Sequence, residues 1–222
     1  MESVTVIQNT QIAPDTHCIH LSKPKDFVYT AGQFVVLQIA IDGKPMRRSY
    51  SLASAPHQPH LEVVIKKQPH GRVSPRLCAL RRGEEIGLLG PFGDFTLKDT
   101  SAVLIGAGTG IAPFISYLRD CAHRQQHVDI TLLVSFRHKN DVLYEKELEQ
   151  IAKHIPLTYK ITLTRDTWEG LTGRINKHMI AQLPVHTAYV CGPTPMVETV
   201  KQLLLAQQQR TIHTEKYGPV TA

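Results

Sequence analysis

Residues 106–113 read Gly-Ala-Gly-Thr-Gly-Ile-Ala-Pro and follow the apolar run Ala102-Val103-Leu104-Ile105. A buried strand that enters a glycine-rich turn and leaves as a helix aims backbone N–H groups and the positive helix end at one spot, which suits a phosphate. Gly106 and Gly108 permit tight turning and close backbone approach, and Gly110 lets the helix start near the strand. Pro113 falls in the first helical turn, where its missing N–H costs nothing. The spacing is G-x-G-x-G, not the G-x-G-x-x-G of the commonest dinucleotide fold. Taken alone, such a turn also arises without any ligand.

Two further runs flank it. Arg48-Ser49-Tyr50-Ser51 sits on an expected strand, where alternation puts Arg48 and Tyr50 on one face and Ser49 and Ser51 on the other. Cys191-Gly192-Pro193 ends the apolar strand Thr187-Ala188-Tyr189-Val190, and ligands of open α/β sheets sit beyond that end. Each has a plain structural reading too: ordinary strand alternation for the first, a strand-ending Gly-Pro turn for the second.

The elements that must position these runs fall into two halves. Residues 1–98 alternate apolar and polar positions in short stretches around Val4–Val6, 17–21, 34–41 and 61–65, separated by turn signals such as Ala13-Pro14-Asp15 and Asp42-Gly43-Lys44-Pro45. That spacing predicts an all-β barrel or sandwich, with one helix over 73–80. After Thr100, strand-length apolar runs alternate with helical stretches: 102–105, 112–126, 130–136, 145–153, 158–163, 176–182, 187–191 and 195–208. This β-α-β-α order predicts a parallel sheet with helices on both faces, and a boundary near residue 99.

With 222 residues, 42% hydrophobic and 20% charged, the chain suits one large domain or two small ones. No segment approaches the ~18 uninterrupted apolar residues of a membrane span, and the start Met1-Glu2-Ser3-Val4 has no signal-peptide pattern. No two of Cys18, Cys78, Cys121 and Cys191 stand at metal-ligand spacing, so no zinc or iron–sulfur centre is readable, and reduced thiols in a cytoplasmic protein are expected. The 12 histidines are scattered, so no metal site is expected. The net charge is +6. Residues 1–98 carry 12 Lys or Arg against 8 Asp or Glu, which places most of the excess in the first half. No Lys/Arg run with interleaved aromatics is present, which argues against nucleic acid. An acidic protein partner fits better, since opposite fields raise encounter rates by ~10 to 10³; a merely solvated basic surface is the plainer alternative.

In this order, the runs resemble the motifs of the ferredoxin–NADP reductase superfamily of flavoprotein electron transferases: R-x-Y-S at 48–51, G-x-x-S at 71–74, G-x-G-T-G-x-x-P at 106–113 and C-G-P at 191–193. Gly90-Pro91-Phe92-Gly93-Asp94-Phe95 also resembles the closing segment of the family's flavin domain. The resemblance covers nearly the whole chain. It implies an N-terminal antiparallel Greek-key β-barrel binding FAD over 1–98, and a C-terminal parallel α/β domain binding NAD(P) over 99–222.

What it implies for individual residues follows the same motifs. Arg48 would bind the flavin pyrophosphate, for which its planar fork suits paired oxygens. Tyr50 would stack on the isoalloxazine ring, and Ser51 would hydrogen-bond the flavin N5 that receives hydride. Ser49 belongs to the same run. Gly71, Arg72, Val73 and Ser74 would form a second phosphate cradle, and backbone around Val64 and Lys66 would contact the flavin. Gly108, Thr109 and Gly110 would cradle the nicotinamide nucleotide, with Thr109, Cys191, Gly192 and Pro193 around the nicotinamide. Glu215 would lie near the flavin, and Tyr217 would cover the ring face that nicotinamide enters; an ordinary final strand is the alternative. The catalytic set is thus Ser51, Cys191 and Glu215, with Cys191 not a covalent nucleophile and no general acid–base pair assigned, because the cofactors carry the chemistry.

An NAD site usually places an acid after the second strand, on the ribose 2′-OH. Here 130–135 leads into Phe136-Arg137-His138-Lys139, with no acid before Asp141. The resemblance implies that basic residues at such places hold the 2′-phosphate, as in NADP-dependent bacterial relatives, with Arg165 and Arg174 as the main discriminators and Arg137 secondary, so NADPH is the expected cofactor and NADH the alternative; three ordinary surface arginines in loops are the plainer reading. The expected reaction is hydride transfer from NAD(P)H to FAD, then single electrons to a separate carrier such as ferredoxin or flavodoxin. Arg72, Arg76, Arg81 and Arg82 would dock its acidic surface. A free-flavin reductase, a reductase component of an oxygenase system and a non-catalytic nucleotide-binding module are the other readings.

Overall fold

The alternation in the first half resolves into six strands and one short helix in a computed structural model that describes residues 1–208 and 211–217. These are β1 (Glu2–Ala13), β2 (Thr16–Ser22), β3 (Phe34–Ile41), β4 (Lys44–Ser51), β5 (His60–Lys66), α1 (Ser74–Cys78) and β6 (Glu85–Phe92). All pairings are antiparallel, in the order β4-β3-β6-β1-β2-β5. A single bridge from Leu52, just past β4, to Val63 on β5 draws the two terminal strands together, so the sheet curls toward a barrel. One face of each strand fills its interior with Val4, Val6, Ile19, Leu21, Val35, Leu37, Leu61, Val63, Ile65 and Leu88. β6 escapes the simple alternating pattern because Gly87, Gly90 and Pro91 interrupt it.

The helix expected over 73–80 is shorter than its pattern. Asn9 on β1 donates from Nδ2 to the carbonyls of Leu77, Cys78 and Leu80 at 3.5, 3.1 and 2.8 Å, while its Oδ1 lies 2.8 Å from His17 Nδ1. These carbonyls find their partner outside the helix, and α1 ends at Cys78.

The second half is β7 (Ser101–Ala107), a 3-10 turn (Gly108–Ile111), α2 (Ala112–His123), β8 (Asp129–Phe136), α3 (Glu145–Ile151), β9 (Leu157–Leu163), β10 (Leu171–Thr172), α4 (Lys177–Ala181), β11 (Thr187–Pro193), α5 (Thr194–Ala206) and β12 (Ile212–Tyr217). Its sheet is wholly parallel, in the order β10-β9-β8-β7-β11-β12. β7 lies at its middle and is buried on both faces: Val103 and Ile105 pack with residues of α4 and α5, and Leu104 is equally buried on the other side. The elements follow the expected order, with the two-residue β10 as the addition.

The described chain divides into two compact units, Met1–Thr96 with Ala112–Asp120, and Leu97–Ile111 with the residues from Cys121 onward. The first includes most of α2. There Arg119 donates to Glu62 Oε2 at 3.0 Å and to the Ala53 carbonyl at 2.9 Å, and Ser116 donates to the Ser54 carbonyl at 2.5 Å. No helix among the described residues is long and apolar enough to cross a membrane.

Candidate functional site

In the antiparallel unit, the alternation along β4 places Arg48 and Tyr50 on one face, paired with Leu37 and Val35 of β3. Both are half-buried, whereas Ser49 between them is exposed. Tyr50 packs against the barrel core, and burial pushes its phenol above the ordinary tyrosine value. Arg48 donates to the carbonyl of Arg47 at 2.6 Å. Ser51, half-buried, ends the strand opposite Phe34.

β5 is a terminal strand of its sheet, and Val64 and Lys66 lie beyond the Leu52–Val63 bridge on its outer edge. The chain then turns through 67–73 into α1. Gly71 donates to the Gln68 carbonyl at 2.9 Å, and the Ser74 hydroxyl accepts from Gln68 N–H at 3.0 Å. A Cβ on Gly71 would lie 3.0 Å from Gln68 Cβ and 3.3 Å from Ser74 Oγ, so the turn leaves little room for a side chain there. Arg72 points to Asp42 at 2.8 Å, both exposed. A guanidinium, a half-buried aromatic, an open strand edge and a glycine-closed turn make a donor set that fits a flavin dinucleotide.

Cys18, His20 and Glu62, also in this unit, bring three metal-type ligand atoms within 4.8 Å of one another. Arg119 already supplies the cation to that carboxylate. His60 stacks on His20 with ring centroids 4.4 Å apart, and burial lowers its pKa. This knot is not readable from spacing, since it joins three distant segments around Cys18, Glu62 and Arg119.

In the parallel unit, the glycine turn leaves the carboxyl end of β7. Gly108 takes φ +54°, and a Cβ on Gly110 would fall 2.3 Å from the Cys191 carbonyl oxygen and 3.1 Å from Gly192 Cα. The turn therefore crosses the end of β11 at a distance that admits only glycine. Cys191 pairs with Gly106 on one side and Glu215 of β12 on the other. Its thiol is buried and lies 4.0 Å from Glu215 Oε2, and burial raises its pKa well above the ordinary value. A neutral, enclosed thiol suits packing around a ligand and not nucleophilic attack.

Tyr217 reaches the same turn. Gly110 N–H donates to its hydroxyl at 3.1 Å, and the hydroxyl donates to the Ala107 carbonyl at 2.6 Å. The residue as a whole is 39% exposed, but its hydroxyl end is enclosed by the glycine turn, and that local desolvation pushes the phenol above the ordinary tyrosine value, with Thr109 as a further hydrogen-bonding neighbour. Replacing Tyr217 by Phe removes both bonds. We expect a loss of about 1 kcal/mol, read as a melting-point drop of roughly 2–4 °C. Because folding favours the neutral phenol, this advantage should hold constant from pH 6 to 9, below the unfolded tyrosine pKa of about 10, and shrink above it. An unchanged melting point in the variant would contradict the assignment.

Arg137, Arg165 and Arg174 follow β8, β9 and β10, three neighbouring strands, at their carboxyl ends. The β8–β9 pairing runs on past the strands, with Thr164 N–H donating to the Phe136 carbonyl and Arg165 N–H to the Arg137 carbonyl, each at 2.9 Å. All three arginines are exposed. Asp166, which the sequence reading passed over, folds back onto the exit of β8: His138 Nδ1 lies 2.7 Å from its Oδ1, and Lys139 N–H donates to its Oδ2 at 2.7 Å. Fused phosphate donors at the glycine turn and cations at the next strand ends fit a nicotinamide dinucleotide.

Residues 3–97 match the profile of the oxidoreductase FAD-binding domain, and residues 104–202 that of the oxidoreductase NAD-binding domain. The glycine betaine monooxygenase reductase subunit of Pseudomonas aeruginosa is 34% identical across 97% of this chain and 63% of its own length. The chain thus spans under two thirds of that relative. Ferredoxin–NADP reductase B of Sorangium cellulosum is 30% identical across 87% of both chains. The crystal structure of the Amycolatopsis cytochrome P450 reductase GcoB superposes with a TM-score of 0.89 at 26% identity, covering 98% of this chain and 70% of that one. With an FAD-binding and an NAD-binding domain in the expected order, and a relative matched over most of both lengths, the chain belongs to the ferredoxin–NADP reductase superfamily.

Proposed function

We propose that the protein is an NAD(P)H-dependent flavoprotein reductase that passes electrons to a partner protein. The observation that carries this reading is the pairing of an FAD-binding and an NAD-binding domain in one chain. The flavin domain is taken as 1–98 and the nicotinamide domain as 99–222. FAD, when bound, supplies an acceptor for the hydride pair and a donor of single electrons.

The chain's own residues bind and orient. Arg48 with Ser49, and the turn of Gly71, Arg72, Val73 and Ser74, hold the flavin's phosphates; Tyr50, Ser51 and the backbone of Val64 and Lys66 hold its ring. Gly108 and Thr109 hold the nucleotide's pyrophosphate through backbone N–H groups, and Gly110, whose own N–H goes to the Tyr217 hydroxyl, lets the turn lie against the end of β11. Cys191, Gly192, Pro193, Glu215 and Tyr217 enclose the nicotinamide, where the neutral Cys191 thiol helps exclude water. Arg137, Arg165 and Arg174 select the 2′-phosphate, since charge-assisted contacts to phosphate are the strong ones. Equal kcat/KM for NADPH and NADH would contradict that selection.

The electron acceptor is an acidic carrier of the ferredoxin or flavodoxin kind. Arg81 and Arg82 border a groove floored by Ile7 and Leu80, and Arg76 lies on α1 close by in sequence. Arg72 contributes less, because Asp42 pairs with it. Raising ionic strength from 0.05 to 0.5 M should slow carrier reduction by about tenfold or more while leaving a small neutral quinone acceptor nearly unaffected. A carrier rate insensitive to salt would count against this surface. The name of the Pseudomonas relative favours a second reading, a reductase component of an oxygenase system, in which the acceptor is the oxygenase. We place the protein in the cytoplasm, where four buried cysteines outside any disulfide stay reduced.

A further inference from the structure

Four cationic side chains and one imidazole gather where β8, β9 and β10 end: Arg137, Lys139, Arg165 and Arg174, with His138. Two are spent within the protein. The Lys139 ammonium contacts both Glu145 carboxylate oxygens at 2.9 and 3.3 Å and sits 4.5 Å over the Trp168 ring. His138 is held by Asp166. The three arginines have no side-chain partner among the described residues. Neighbouring parallel strands lie about 4.8 Å apart, so Arg137 and Arg165 leave adjacent strand ends side by side.

One carboxylate joins the two neighbouring strand ends. Asp166 takes the His138 ring on one oxygen and the Lys139 N–H on the other, both at 2.7 Å. Asp141 takes His138 N–H at 3.2 Å. The residue after Arg137 and the residue after Arg165 are thereby tied together, across a backbone bond that already joins the two arginines. Trp168 closes the far side: its Nε1 donates to the Leu171 carbonyl at 2.7 Å, and its ring lies where a Cβ on Gly170 would be.

We propose that the Asp166–His138 clasp is the positioning device for the 2′-phosphate pocket, with Asp166 acting through Arg137 and Arg165 instead of touching the nucleotide. This rests on the reading of those arginines as the 2′-phosphate site. The sign of the effect separates positioning from charge. Asp166 is an anion beside an anion site, so its removal, by Coulomb's law alone, strengthens phosphate binding. If it positions the arginines, its removal weakens binding.

The test is calorimetric binding of 2′,5′-ADP and 5′-AMP to the flavin-loaded protein. Arg165→Ala should lower the affinity ratio for the two nucleotides about tenfold or more. Asp166→Ala should lower it about fivefold, with 5′-AMP affinity unchanged, and His138→Ala should do the same; the double variant should be no worse than either, because the two residues act as one unit. Asp166→Asn, which keeps the shape and the acceptor for Lys139 N–H, should fall between, and it keeps the measurement available if the alanine variant folds poorly. Unchanged or tighter 2′,5′-ADP binding in Asp166→Ala and Asp166→Asn, with Arg165→Ala impaired, overturns the clasp. An unchanged ratio in both Arg165→Ala and Arg174→Ala overturns the 2′-phosphate site itself.

Discussion

Alanine at position 110 will slow reduction of the flavin by the nicotinamide nucleotide at least about 100-fold while leaving the flavin in place. The added Cβ would sit 2.3 Å from the Cys191 carbonyl oxygen and 2.8 Å from its carbonyl carbon, both backbone atoms at the end of β11. No side-chain rotation relieves that contact. Either the 108–111 turn or the 191–193 segment must shift, by about the 1 Å that typically costs 10²-fold when reacting groups are misplaced. Strain of this kind in packed regions costs about 1–3 kcal/mol, which a chain of this size tolerates. The expected result is therefore a folded, yellow protein whose flavin is reduced by NADPH at least about 100-fold more slowly than in the wild type. Wild-type reduction by Gly110→Ala would show that the turn is not the nucleotide cradle.

The second large effect is on stability. Arg119 and Glu62 form a nearly buried pair, with side chains 14% and 4% exposed, and Arg119 also serves the Ala53 carbonyl. Removing one partner of such a pair strands the other charge, which costs about 3–5 kcal/mol. Arg119→Ala should therefore lower the melting temperature by roughly 6–20 °C. His20, 3.3 Å from the same carboxylate, offers only part of the compensation. Replacing both residues, as Glu62→Met with Arg119→Met, should recover most of the loss, because no buried charge remains. A drop below about 3 °C in Arg119→Ala would mean that the pair is solvated after all.

How much of this was legible before the structure depends on the range of the interaction. The glycine turn, the order of parallel strands and helices, and the shared face of Arg48 and Tyr50 are all local patterns of period 2 or 3.6, and the structure has them. The early end of α1 was not legible, because the group that takes its carbonyls is Asn9, on a strand 68 to 71 residues away. Tyr217 was legible as a residue of interest by family resemblance, but its grip on Gly110, 107 residues distant, follows only from the adjacency of β12, β11 and β7. Asp166 stayed hidden for a related reason. No acid follows the second strand within the next few residues of the chain; the carboxylate arrives from the neighbouring strand, 28 residues on from His138. The two-residue β10 is too short to carry any periodicity, yet it brings Arg174 into line with Arg165.

Binding of FAD by this chain and its reduction by a nicotinamide nucleotide can be read directly from the flavin spectrum. Purified protein should carry a flavin visible spectrum, and anaerobic mixing with NADPH should bleach it within the turnover time, faster than NADH does at equal concentration. A colourless protein that takes up no FAD, or a bound flavin that neither nucleotide bleaches, would contradict the account.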